Sequence, residues 1–297
     1  MATAAQWVSA ARPRTLPAAV APVLVGCGAG AAILGVHHSP WTAESWLKAA
    51  LALIVALALQ VGVNYANDYS DGIRGTDGAH RVGPFRLVGS GAAPPQAVKA
   101  GAITCFAIAA AAGLVLAVTS AWWLILVGAA SIAAAWFYTG GKRPYGYAGF
   151  GELFVFVFFG LVAVLGTTYV IAERISLTSI VLAVGTGLLA CAILVANNLR
   201  DVATDGATGK RTLAVILGDG LTRRVYAAML AAAFLAVLVV GLRHPWCLIA
   251  LAAALPAIAP VRQVLRGARG PALIPVLGAT GMTEFCYALL LLIGLLL

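Results

Sequence analysis

The sequence predicts an all-α, polytopic membrane protein, with about nine transmembrane helices bundled around a central cavity and one domain over residues 1–297. Three observations predict it. Of the 297 residues, 62% are hydrophobic and only 10% are charged, whereas a soluble domain carries about 25% charged residues. Apolar runs near the ~20 residues that cross a bilayer recur along the chain, and the mean hydropathy is +0.98. Between these runs the charge density alternates from one connection to the next.

The runs fall at roughly 16–36, 46–66, 97–118, 121–139, 150–171, 176–198, 223–242, 245–264 and 275–296. Arg12 and Arg14 precede the first run, which has no clear cleavage pattern and is therefore expected to be a membrane helix rather than a signal peptide. Connections after the odd-numbered runs are short and poor in charge; those after the even-numbered runs carry most of the polar residues. With the N-terminus placed beside the latter, that side holds sixteen of the nineteen Lys and Arg residues, and the other only Lys48, Arg174 and Arg243. By the positive-inside rule the rich side is cytoplasmic, in a cell membrane. The net charge of +9 is therefore largely topological and does not describe a nucleic-acid surface. Cys27, Cys105, Cys191, Cys247 and Cys286 lie singly in apolar runs, which predicts free buried thiols rather than a disulfide or zinc framework.

The polar residues concentrate at two span ends. Asn64 to Asp77 reads NYANDYSDGIRGTD. If the second helix continues to Asp71, then Asn64, Asn67, Asp68 and Asp71 fall at i, i+3, i+4 and i+7, one face. Asn197 to Asp205 reads NNLRDVATD, and places Asn197, Asp201 and Asp205 at i, i+4 and i+8. The two stretches end spans two and six on the same side, as in a parallel four-helix repeat with a ninth helix added. Oxygen ligands rowed at a membrane boundary are costly unless a cation binds them.

Two facing carboxylate clusters suit Mg²⁺, which takes oxygen ligands and uses one or two carboxylates together with substrate phosphates. Arg74, Lys142, Arg143, Lys210 and Arg211 would neutralise the remaining phosphate charge. Such a site stabilises a departing diphosphate, and an apolar bundle beside it can hold a lipid tail and keep water from a carbocation. Tyr138, Tyr145 and Tyr147 are candidates for ring or cation contacts, and neutral His80 for taking a phenolic proton. Glu152 fits an ordinary helix N-terminus, and Glu284, inside an apolar run, has no assigned role.

NDYSD with its downstream Asp77, together with NNLRDVATD, resembles the two aspartate-rich motifs of UbiA-type intramembrane prenyltransferases. Beyond these, WVSAARPRTLPAAVAPVLVG (7–26), RVGPFRLVGSG (81–91), YTGGKRPYGYAGFGELFVFVFFG (138–160) and NNLRDVATDGATGKRTLAVILG (197–218) are similar to the 1,4-dihydroxy-2-naphthoate polyprenyltransferase family. The resemblance implies Mg²⁺-dependent transfer of a polyprenyl group from polyprenyl diphosphate to 1,4-dihydroxy-2-naphthoate, with loss of CO₂ and diphosphate, in menaquinone biosynthesis. By motif position it implies Asn67, Asp68 and Asp71 as ligands of one metal cluster and Asp201 and Asp205 as ligands of the other. Lys142 joins the four aspartates as a candidate catalytic group. Asn64, Asn197, Tyr138, Arg14, Arg74, Arg143, His80, Lys210 and Arg211 become candidates for substrate contact. Asp77, six residues past Asp71 rather than the family's four, is expected to act through water or by holding a Lys or Arg. Two other readings stay open: a related prenyltransferase with another aromatic acceptor, and a cation-coupled transporter, although the latter favours ionisable residues near the midplane.

Overall fold

A computed structural model describes residues 2–35, 41–75 and 85–297. Every regular element among these residues is helical. A short amphipathic helix, α1 (Ala4–Ala10), is started by a capping box in which Thr3 accepts from the Gln6 amide and Gln6 Oε1 accepts from the Thr3 amide at 2.8 Å. Nine longer helices follow: α2 (Pro17–Leu34), α3 (Ala43–Arg74), α4 (Pro95–Thr119), α5 (Leu124–Phe137), α6 (Gly151–Ala172), α7 (Leu177–Ala207), α8 (Leu213–Gly241), α9 (Pro245–Leu265) and α10 (Gly270–Leu296). Eight of them are long and apolar enough to cross a bilayer, and α5, at 14 residues, is the short one. The tryptophans of the turn before it, Trp122 and Trp123, face outward, as interfacial aromatics do.

The two helices that carry the acidic stretches are the longest. At 32 and 31 residues, α3 and α7 span about 48 Å each, so their ends project beyond a ~30 Å hydrocarbon core. The sequence expectation that the second helix continues to Asp71 is met, and α7 likewise carries Asp201 and Asp205 inside its helix. Gly75 stops α3 with φ 70, a left-handed conformation that costs glycine little, and its amide donates to the Asp71 and Gly72 carbonyls. α8 begins ten residues before the expected boundary and breaks once, at Gly218 (φ 75, ψ 166).

The bundle is dense on one side and hollow on the other. The larger core joins α2, α6 and α7 to α8, α9 and α10, around Val25, Leu182, Leu189, Tyr226, Tyr287 and Leu291. Gly26 and Gly30 bring α2 against α6, where a Cβ on Gly26 would lie 2.6 Å from Thr167 Cβ. A second core packs α1 and residues 85–93 against α3 and α4, around Tyr65, Leu87, Val98 and Phe106. Between the two cores lies a cavity of about 1140 Å³, walled by α2 to α7, with Ile274 and Leu277 of α10 also on its lining.

Candidate active site

One face of α3 lines this cavity along its length: Ala52, Val55, Ala56, Leu59, Gln60, Val63, Asn64, Asn67 and Asp71. The spacing is helical, and the nineteen residue steps from Ala52 to Asp71 cover about 28 Å. The face changes chemistry along that length, from aliphatic at the deep end to amide and then carboxylate at the mouth. On the opposite wall, α7 contributes Ile193 and Leu194 deep, then Asn197, Asp201 and Asp205 at the mouth. One chamber therefore joins an aliphatic depth to a mouth of amides and carboxylates.

At the mouth, Asp71 is 3% exposed, and Arg86, Tyr147 and Lys210 are among the groups that reach it. Arg86 donates to Oδ2 at 3.1 Å, the Tyr147 hydroxyl donates to Oδ1, and Lys210 Nζ lies 3.7 Å from Oδ1. Lys210 also sits 4.5 Å over the Tyr147 ring, and the Arg211 amide donates to the Tyr147 carbonyl at 2.9 Å. Asn67, one turn deeper, accepts from the Thr139 hydroxyl at 2.7 Å. Asp201 is held by the adjacent Arg200, whose Nε and Nη2 donate to its two oxygens at 2.7 and 2.5 Å.

Below the mouth, the N-terminal segment is fastened to α3. Arg12 adopts a left-handed backbone (φ 56), uncommon outside glycine. The turn this makes lets Thr15 donate to the Arg12 carbonyl while its oxygen accepts from Gln60 Nε2 (2.9 Å) and Asn64 Nδ2 (3.2 Å). Arg12 and Arg14 thereby reach the cavity wall. Across from them runs a ladder of aromatic rings, all on the wall: Tyr138 edge-on to Tyr145, Tyr145 stacked on Phe154 at 3.9 Å, and Phe154 followed by Phe158. Burial raises the Tyr145 hydroxyl above the ordinary phenol range, and it donates to the Ala134 carbonyl at 2.7 Å. A π-helical turn, Phe156–Val162, presents the consecutive Phe158 and Phe159 to the same space.

Eleven of the residues singled out from the sequence meet at this cavity: Arg14, Asn64, Asn67, Asp71, Tyr138, Tyr145, Tyr147, Asn197, Asp201, Asp205 and Lys210. Others are placed elsewhere. Asp68 does not share the wall with its neighbours; its oxygens accept from the Leu87 and Val88 amides at 2.7 and 3.0 Å. The reason is angular: Asn67 and Asp68 lie about 100° apart around a helix, so a face this wide has edges that look at different neighbours. Lys142 and Arg143 are exposed and off the wall, because the turn before Pro144 points them outward. Arg74 reaches across to the Thr139 and Gly141 carbonyls, and the Arg211 side chain is exposed. Asp77 and His80 lie outside the described residues. Of the five cysteines, all unpaired, Cys105 and Cys286 are half-buried. Glu152, read as an ordinary helix start, is buried and accepts from Asn198 Nδ2 at 2.8 Å, joining α6 to α7.

Arg86 and Thr139 were not singled out as site residues from sequence. The only signal for Arg86 was its place in the segment 81–91.

The donor set fits Mg²⁺. Among the described residues no three His, Cys, Asp or Glu side chains converge tightly enough to close a metal site alone. Yet oxygen donors face the mouth from both walls, and Mg²⁺ completes its shell with water and phosphate oxygens.

An amphiphile with an anionic head and a long apolar tail is the ligand that this membrane-deep chamber defines, with a polar mouth built from two helix ends. The chain belongs to the UbiA prenyltransferase family, whose model matches residues 19–273. It is 57% identical over 289 residues to a 1,4-dihydroxy-2-naphthoate octaprenyltransferase of Mycobacterium tuberculosis, covering 97% of this chain and 96% of that protein. A protein of the same description from Escherichia coli is 36% identical, with 97% and 94% covered. In fold, the chain is similar to a UbiA homolog from Archaeoglobus fulgidus bound to GPP and Mg²⁺ (TM-score 0.68, 15% identity, 96% of this chain and 99% of that one). It is equally similar to a UbiA homolog from Aeropyrum pernix (TM-score 0.68, 17% identity, 92% and 97%).

Proposed function

We propose that the chain transfers a polyprenyl group from polyprenyl diphosphate to 1,4-dihydroxy-2-naphthoate, releasing CO₂ and diphosphate and giving the prenylated dihydroxynaphthalene, the quinol form of demethylmenaquinone, in menaquinone biosynthesis. The observation that carries this reading is the α3 face, which runs from Ala52 to Asp71 without interruption and so joins a tail site to a head site. The likeness to naphthoate octaprenyltransferases over nearly the full chain supports the acceptor.

Asn67 and Asp71 on α3, with Asn197, Asp201 and Asp205 on α7, are the groups that would hold Mg²⁺ together with the diphosphate oxygens. Bound Mg²⁺ supplies Lewis-acid stabilisation of the charge that builds on the departing diphosphate. Lys210 and Arg86 place fixed positive charge at the same mouth, where it favours the charge-separated transition state over the ground state. As the allylic carbon–oxygen bond breaks, its electron pair leaves with the diphosphate. The ring carbon that bears the acceptor's carboxylate bonds to the allylic carbon. Loss of CO₂ then returns the electron pair of the broken carbon–carbon bond to the ring. Val55, Ala56, Leu59 and the rings of Phe154 and Phe158 exclude water from the reacting carbon and bed the tail. The charge asymmetry of the connections supports a cell-membrane protein with its mouth and N-terminus on the cytoplasmic side.

The test is direct. Purified chain in nanodiscs is given labelled polyprenyl diphosphate, a panel of aryl acids, and either Mg²⁺ or EDTA. The expected result is prenylated product from the naphthoate, with Mg²⁺ only. Product from hydroxybenzoate alone would move the acceptor, and cation flux in liposomes without any prenylated product would overturn the enzyme.

A further inference from the structure

Among the described residues, Asp68 is the one carboxylate of the first acidic stretch that does not line the chamber. It is 1% exposed, and it is absent from the cavity wall. Its two oxygens are spent on adjacent backbone amides: Oδ2 accepts from Leu87 at 2.7 Å and Oδ1 from Val88 at 3.0 Å. Those amides open a tight turn that closes on itself, with the Gly91 amide donating to the Val88 carbonyl (2.9 Å) and the Ala93 amide to the Leu87 carbonyl (3.0 Å). Two further features seat the turn on α3. Leu87 is fully buried against Tyr65, Val98 and Phe106. Gly72, one turn past Asp68, leaves room for Val88, whose Cβ would lie 2.5 Å from any Cβ placed there.

The residue just before the clamped amides is Arg86. Its carbonyl is fixed by the Ser90 amide (3.2 Å) and the Ser90 hydroxyl (2.5 Å), so its backbone is held from the following side by both Asp68 and Ser90. From there its guanidinium, on a side chain 8% exposed, turns back to Asp71 at 3.1 Å, on the cavity wall. Arg86 thus links Asp68 to the chamber, which Asp68 does not itself line.

We infer that Asp68 is a positioning residue rather than a metal ligand: it clamps the turn at 87–88 so that Arg86 is presented to Asp71 at the mouth. This rests on the prenyl-transfer reading for what Arg86 then does, but the clamp itself does not. Asparagine is a poor replacement because its amide offers one accepting oxygen where two amides need acceptors, and its NH₂ would face an N–H.

The test is a double-mutant cycle, Asp68→Asn with Arg86→Gln, read as kcat/KM and as the Mg²⁺ concentration giving half-maximal rate, beside amide hydrogen exchange on the metal-free protein. Each single variant is expected to lose about 10- to 100-fold in kcat/KM, the scale for groups that orient a site from behind. The double variant is expected to lose no more than the worse single one, and any change in the Mg²⁺ requirement is expected to be the same in all three. Leu87 and Val88 amides are expected to exchange slowly in the unmodified chain and in Arg86→Gln, and fast in Asp68→Asn. Additive losses with a Mg²⁺ requirement raised by Asp68→Asn alone would make Asp68 a ligand and overturn the inference. Fast exchange of Leu87 and Val88 in the unmodified chain would overturn it too, and needs no variant to fold. The exchange result decides on the clamp even if the unmodified chain yields no prenylated product, an outcome that would instead remove the functional reading.

Discussion

Lys210 Nζ lies 3.7 Å from Asp71 Oδ1, so the cation that follows the second acidic stretch is paired with a carboxylate of the first. Tyr147 sits at the junction, giving its hydroxyl to Asp71 and the face of its ring to Lys210. Three connections distant in sequence therefore meet at one point, and the point is the mouth of the chamber. An ion pair there, with side chains 18% and 4% exposed, is screened less than one on an open surface.

Lys210→Met tests the electrostatic half of this arrangement. Removing one fixed donor aimed at developing charge costs about 10²- to 10³-fold in rate in comparable sites. A fall in kcat/KM toward the lower end of that range is expected, with kcat carrying most of it. Thermal stability should hardly change, since Lys210 is only partly buried and its loss leaves Asp71 still paired with Arg86. Steady-state kinetics beside a thermal-inactivation curve would check both halves.

Tyr147→Phe isolates the hydroxyl. The loop stays tied to the second stretch through the Arg211 amide and the Tyr147 carbonyl, so the fold is expected to survive. A hydrogen bond to a charged group contributes about 1.5–3 kcal/mol. If most of that is spent on holding Asp71 in place, kcat/KM falls about tenfold or somewhat more. An unchanged kcat/KM would show that Arg86 and Lys210 hold Asp71 without help.

The membrane helices were legible because hydropathy and bilayer thickness together set a length, and the loop charges set a side. The cavity face of α3 was legible too, since its polar residues follow a helical period that the structure keeps. Its edges were not. Asn67 and Asp68 look alike in a motif, but the path of residues 85–93 decides that one faces Thr139 and the other Leu87. Arg86 escaped notice for the same reason, because only the folded turn brings it 3.1 Å from a carboxylate fifteen positions earlier. Lys142 and Arg143 showed the opposite error. A glycine-rich loop with two cations suggests a phosphate site, yet here the backbone around Pro144 spends them on solvent and uses Tyr145 and Tyr147 for the wall.

Glu284 offers a prediction about stability alone. It is fully buried in α10, off the cavity wall, and neither of its oxygens has a hydrogen-bond partner among the described residues. Leaving a buried polar group unpaired costs about 1–3 kcal/mol. Glu284→Met keeps a similar volume and removes the cost, so the half-life at elevated temperature in detergent is expected to lengthen while kcat is retained. A shortened half-life would mean that the carboxyl has a partner, such as a buried water.

Gly160 marks where the chamber depends on backbone contact. It lies in the π-helical turn of α6 and faces Gly187 of α7, so that an added Cβ would sit 2.6 Å from Gly187 Cα and 2.9 Å from the Ala183 carbonyl oxygen. Neither neighbour is a side chain that can swing away, so Gly160→Ala must push α6 from α7. Overpacking of this kind costs about 1–3 kcal/mol. Because the same turn sets Phe158 and Phe159 on the cavity wall, KM for the polyprenyl diphosphate is expected to rise along with the loss of thermal stability. Gly278→Ala is the matching control: no atom lies within 4 Å of its added Cβ, and it is inside a helix and does not itself line the cavity. There the substitution is expected to stabilise by about 0.4–1 kcal/mol, through the unfolded chain, and to leave KM unchanged. Equal effects from the two alanines would mean that helix propensity, and not the α6–α7 contact, governs both.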